Sequence, residues 1–153
     1  MRIYKILIFI LLISGCNQPN SELMEQRKSW GFDNWESEFK ERALCLCLLE
    51  GYENEEIKNY ILKNDKSYYN GIGIAIFDPT LKQIIRKEVA KIKQDSIQSV
   101  ERVPEHLVGK RIFSHCMEFY KSERLDSIVK KEIPKWNEIK NIQAEVWKHI
   151  PTY

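Results

Sequence analysis

The sequence has no apolar run long enough to cross a membrane, which takes about 20 consecutive residues. Its one such run covers only positions 6–13. It has no internal repeat and no low-complexity tract, so nothing suggests a solenoid or a disordered array. It also lacks an excess of one charge. The chain carries 24 basic and 22 acidic residues; without 1–15, which hold Arg2 and Lys5, the two signs balance at 22 each. A bulk cationic field of the kind that attracts nucleic acid is therefore missing, and no nucleic-acid partner is expected. The four cysteines never form a C-x-x-C pair, and of His106, His115 and His149 only His115 stands near a cysteine. Such spacing is poor for zinc, so neither metal nor cofactor is expected.

What is present starts at the N-terminus. "MRIYKILIFILLISGC" joins a short basic region to an apolar run and then to Ser-Gly-Cys. This is the layout of a secretory signal, and its "LISGC" end fits a lipoprotein signal peptidase. Residues 1–15 thus read as a lipoprotein signal peptide, and Cys16 as the lipidated first residue of the mature chain. Residues 16–32 read as the lipidated N-terminus and a polar tether carrying Pro19. The domain occupies 33–153. The expected location is the periplasm, lipid-anchored, with the outer membrane favoured over the inner because Asn17 supplies no aspartate-type retention signal.

Charge is unevenly distributed. Residues 16–78 hold 7 basic and 12 acidic side chains, and residues 79–153 hold 15 and 10. The asymmetry suits orientation of a partner or of a second copy, or simply marks two solvated faces.

Apolar spacing is helical almost throughout. A first helix starts near Asp33 or Asn34, places Phe39, Ala43, Leu46 and Cys47 inward, and ends at Gly51. A second carries Ile57, Tyr60 and Ile61 as its stripe. The segment 67–79 alternates Ile72, Ile74 and Ile76 with Gly73, Ala75 and Phe77, but no other strand exists to pair with it, so a loop or short helix is expected. Pro79 opens a long helix to about Gln98, with Leu81, Ile84, Ile85, Val89 and Ile92 inward. The next holds Ile112, Phe113, Cys116, Met117 and Tyr120. Ser122 caps another, with Leu125, Ile128, Val129 and Ile133 inward, which Pro134 stops or kinks. The tail places Trp136, Ile139, Val146 and Ile150 on a last helix. The fold class is all-α, a single compact bundle of about five to six helices.

In an oxidising compartment thiols that can meet usually pair. Cys45 and Cys47, two apart on a helix, point about 200° away from each other and cannot readily share a bond or a metal. A catalytic thiol needs an exposed, activated thiolate and a base, whereas these cysteines lie on apolar stripes. The remaining option is a disulfide from the first helix to the helix of Cys116. Cys47 is in line with Phe39 and Ala43, and Cys116 with Ile112 and Tyr120.

The run "ALCLCLLEGY", followed by "KSYYNG", a long helix and "HCMEFYKSERLDSIVKK", resembles the fourth family of type VI secretion amidase immunity proteins. Cys47 matches the first family cysteine; Cys116, Tyr120, Ser122, Leu125 and Asp126 match the later segment. The resemblance covers residues 35–132. It implies an all-helical, periplasmic, often homodimeric protein with a Cys47–Cys116 disulfide and no catalysis of its own. Its implied partner is a secreted papain-like amidase that cuts peptidoglycan stem peptides, whose cleft a protruding loop of the inhibitor plugs. The segment 99–109 is the candidate for that loop, with Glu101, Arg102, Val103, Pro104, Glu105 and His106 as its binding residues; the segment 70–78 is the other candidate. An envelope lipoprotein with another binding role, or a cell-envelope hydrolase, is the alternative function.

Overall fold

The computed structural model describes residues 21–149. The signal segment and Cys16 lie outside the described residues, as does Ile150. Among the described residues seven α-helices follow one another: α1 (Ser21–Ser29), α2 (Trp35–Gly51), α3 (Glu55–Asn64), α4 (Asp78–Ser99), α5 (Ile112–Tyr120), α6 (Glu123–Glu138) and α7 (Ile142–His149). No strand occurs among the described residues, so the chain is all-α, with one more helix than the expected upper count.

The additional helix is α1, which lies inside the segment read as tether. Its polar sequence gives little sign of burial, yet Arg27 is buried. The Arg27 guanidinium donates to Asn137 Oδ1 at 3.0 Å, to Asn137 O, and to Ile139 O at 3.3 Å. It also lies over the Phe32 ring, 4.7 Å from the centroid. A cation here satisfies carbonyls that the C-terminus of α6 leaves without helical partners, and it complements the helix dipole. Residues 21–32 therefore belong in part to the folded body.

Helix α2 is the centre of the bundle and packs chiefly on α5 and α4. Its Trp35 and Phe39 meet Phe77 and Trp136 in a four-ring cluster with neighbouring centroids 5.4–6.0 Å apart, several of them edge to face. That geometry suits the aromatic quadrupole and contributes about 0.5–1.5 kcal/mol per pair beyond burial. Gly51 is needed for close approach: a Cβ there would stand 2.6 Å from Ile112 Cγ2. The residue ends α2 with ordinary helical neighbours, so its role is packing against α5 more than termination.

The ambiguous isoleucine segment is helical. A π-helical turn, Gly73–Phe77, leads directly into α4, and ahead of it Asn70 Oδ1 accepts from Gly73 N–H at 2.8 Å. Its Gly73, Ala75 and Phe77 are buried while Ile72, Ile74 and Ile76 are half-buried. The turn is covered by α2 on one side and α7 on the other, so its alternation reflects two covered faces and no pleat.

Other expectations hold locally. Ser122 caps α6, accepting from Leu125 N–H at 3.2 Å, and Pro79 sits in the first turn of α4. Pro134 does not stop α6, which runs on to Glu138. The ring is exposed, as is Lys130 four residues before it, so the carbonyl freed there faces water. Three stripe assignments are corrected: Ile57 is 39% exposed, Tyr60 70% and Phe113 68%.

Candidate functional site

Two regions concentrate polar chemistry. The first is the connection between α4 and α5. Helix α4 ends at Ser99, whose carbonyl accepts from Arg102 N–H at 3.0 Å and Val103 N–H at 3.1 Å. Arg102 turns back on the helix it has left. Its Nε donates to Gln98 O at 3.0 Å, and its outer nitrogen donates to Asp95 Oδ1 at 2.6 Å. The hydrogen bond from Arg102 holds the Asp95 carboxyl below the usual carboxylate range. Pro104, extended, then leads into a 3-10 turn, Glu105–Leu107. Gly109 adopts φ 151°, a conformation that disfavours a side chain. Lys110 Nζ closes the far end by donating to Gly51 O at 3.2 Å and pairing with Glu53 at 2.5 Å.

The loop is thus anchored at both ends, to α4 through Arg102 and to the end of α2 through Lys110. Glu101, Pro104, Glu105 and His106 are exposed, and Val103 is half-buried. Among the described residues none pairs with the side chains of Glu101, Glu105 or His106. Around them lie exposed apolar groups: Ile97, Val100, Leu107, Val108 and Phe113. The alternative segment, 70–78, is no projecting loop, since Gly73, Ala75, Phe77 and Asp78 are buried in it. Arg102, expected to face a partner, is committed to Asp95. The apolar apron was missed because Phe113 falls on the same stripe as Cys116 and reads as core.

The second region is internal. Glu88 of α4, 2% exposed, has three side-chain partners. Lys91 Nζ lies at 3.0 and 3.2 Å from its oxygens, His115 Nε2 lies at 3.0 Å, and Arg124 pairs with it as well. Burial pushes the Glu88 carboxyl up, but these hydrogen bonds outweigh it and leave the group below its ordinary value. The cluster ties α4 to α5 and α6. A second buried pair, Arg42 with Asp78, is bidentate at 2.8 Å for both bonds, and Arg42 also donates to Tyr68 O at 2.6 Å. The sequence does carry a signal for these residues: Arg42, Asp78 and Glu88 are charged groups at core-facing positions.

Cys47 and Cys116 form a disulfide, S–S 2.03 Å, and both are fully buried. His115 therefore stands beside a cysteine with no thiol to activate. The remaining thiol, Cys45, is half-buried, and burial pushes its pKa up, opposite to the direction of an activated nucleophile. No helix among the described residues is long and apolar enough to cross a membrane. No protein-family model, curated protein or solved structure matches the chain.

Proposed function

We propose that this chain is a periplasmic, lipid-anchored immunity protein that binds a type VI secreted peptidoglycan amidase and inhibits it by plugging its active-site cleft. The observation that carries the reading is the Cys47–Cys116 disulfide between α2 and α5, the two helices on which the family-like cysteine segments lie. A bond of that kind persists in oxidising compartments, where the lipoprotein-like N-terminus would deliver the protein.

In this reading the connection between α4 and α5 enters the cleft. Glu101, Glu105 and His106 offer unpaired polar groups, and Leu107, Val108 and Phe113 offer apolar area for the rim. Arg102 is a positioning residue that fixes the loop on α4. Anchoring at both ends, together with Pro104, lowers the ordering cost of binding. The raised pKa of Cys45 supports a binding role over thiol catalysis. A homodimer belongs to the same reading.

The test is co-expression, with the signal peptide, in a strain producing a periplasmic cell-wall amidase from a neighbouring gene. Rescue of growth and a complex on gel filtration are expected. Failure of both defeats the immunity reading. Replacing Glu101, Glu105 and His106 together by alanine is expected to weaken inhibition with unchanged thermal unfolding; unchanged affinity removes the loop from the interface.

A further inference from the structure

A groove of about 890 Å³ lies between α3 and α4, floored by the outer side of α2. Among the described residues α3 packs chiefly on α2 and on the 3-10 turn Lys66–Tyr68, which leaves the flank of α4 open. The floor is apolar, made by Leu46, Ile85 and Val89, with Ala90 beside it. One wall is acidic, the other basic.

The two walls differ in what is already satisfied. On the acidic side, Glu50 pairs with Lys58 at 2.7 Å and Glu53 with Lys110 at 2.5 Å, while Glu55 lies 4.0 Å from Lys58. Asp78 is taken by Arg42. On the basic side, no acid among the described residues pairs with Lys82 or Arg86. Lys93 makes no ion pair among the described residues, although its charge adds a small part to the lowering of the Glu53 carboxyl that Lys110 chiefly causes. The charge left for a ligand is therefore positive, and it lies above an apolar floor.

Lys82, Arg86 and Lys93 all line the groove from α4. The first and last stand roughly 16 Å apart along the helix axis. A single small anion cannot neutralise a row of that length. A phosphate polymer matches the charge but leaves the apolar floor without a partner. We propose that the groove is a docking site for an acidic amphipathic segment of a partner protein, its carboxylates along Lys82, Arg86 and Lys93 and its apolar side chains on Val89 and Ala90. This inference does not rest on the amidase reading.

The test uses the purified full-length chain and a fluorescein-labelled helical peptide of about twelve residues, with glutamate on one face and leucine on the other, long enough to cover the row. Saturable binding by fluorescence anisotropy, weakening with added salt, is expected. K82E with R86E should weaken it by roughly tenfold, since two exposed pairings turn repulsive. Ala90→Trp, which fills the groove without changing charge, should weaken it as well. Both variants are checked for unchanged circular dichroism, and the Glu101→Ala, Glu105→Ala variant should bind like the wild type. Absence of binding, equal binding to the charge-reversed variant, or displacement of the peptide by dodecanoate or oligothymidylate at lower concentration would overturn the proposal. Failure here leaves the immunity reading standing, because no amidase enters the experiment.

Discussion

Helices α2 and α3 are neighbours in sequence and both carry apolar residues at helical spacing, yet α2 buries eight residues and α3 buries none. α2 is covered on several sides, tied to α5 by the disulfide and to the start of α4 by Arg42–Asp78. α3 rests on one side only, with Tyr60 mostly and Ile57 partly in water. The difference shows that an apolar stripe identifies a helix without identifying what covers it. Rigidity is gathered around α2. Exposed apolar surface is gathered at the periphery, on α3 and on the connection between α4 and α5.

That contrast can be broken experimentally, and the largest effects should come from α2. Replacing Cys47 and Cys116 together by alanine reopens a loop of 69 residues separation. By chain entropy this costs about 4 kcal/mol, read as a lower denaturant midpoint; a loss below about 1 kcal/mol would place the bridge outside the stabilising frame. Arg42→Ala strands the buried Asp78 carboxylate and should cost about 3 kcal/mol in the same measurement. Glu88→Gln should cost about 2 kcal/mol, less than a fully buried pair because Lys91 and Arg124 are near half-exposed.

Glu88 also predicts a pH dependence. Its folded-state pKa is depressed, so its stabilisation is complete above the unfolded carboxyl value of about 4.3 and is lost as pH falls through the lower folded value. Acid unfolding of the Glu88→Gln variant should therefore be shallower than that of the wild type; parallel acid limbs would remove Glu88 as a contributor. The smallest effect is expected at the periphery. Tyr60→Ala should change stability by less than about 0.5 kcal/mol, since its ring is mostly in water.

How much of this was legible in the sequence follows the same division. Residues such as Phe39, Leu81, Leu125 and Val129 recur at helical spacing and are buried, because in a bundle the period of the chain and the period of the core coincide. α1 was not legible. Its docking depends on one arginine meeting carbonyls of a helix more than 100 residues later, and no local pattern encodes such a meeting. Phe113 and Tyr60 mislead for a related reason: periodicity gives a face, and only tertiary packing decides whether the face is covered. In the candidate site, the disulfide was expected, as was an irregular segment between α4 and α5. The commitment of Arg102 to Asp95 was not, because a charge seven residues upstream reaches it only once the chain has turned back.

The most direct test of the proposed function is stoichiometric inhibition in solution. Hydrolysis of purified peptidoglycan by the neighbouring amidase is followed as the purified protein is added. Release of cleaved stem peptide should fall to background near one protein per enzyme, and the Glu101, Glu105, His106 alanine variant should need substantially more. Undiminished hydrolysis in the presence of excess wild-type protein would contradict the proposed function.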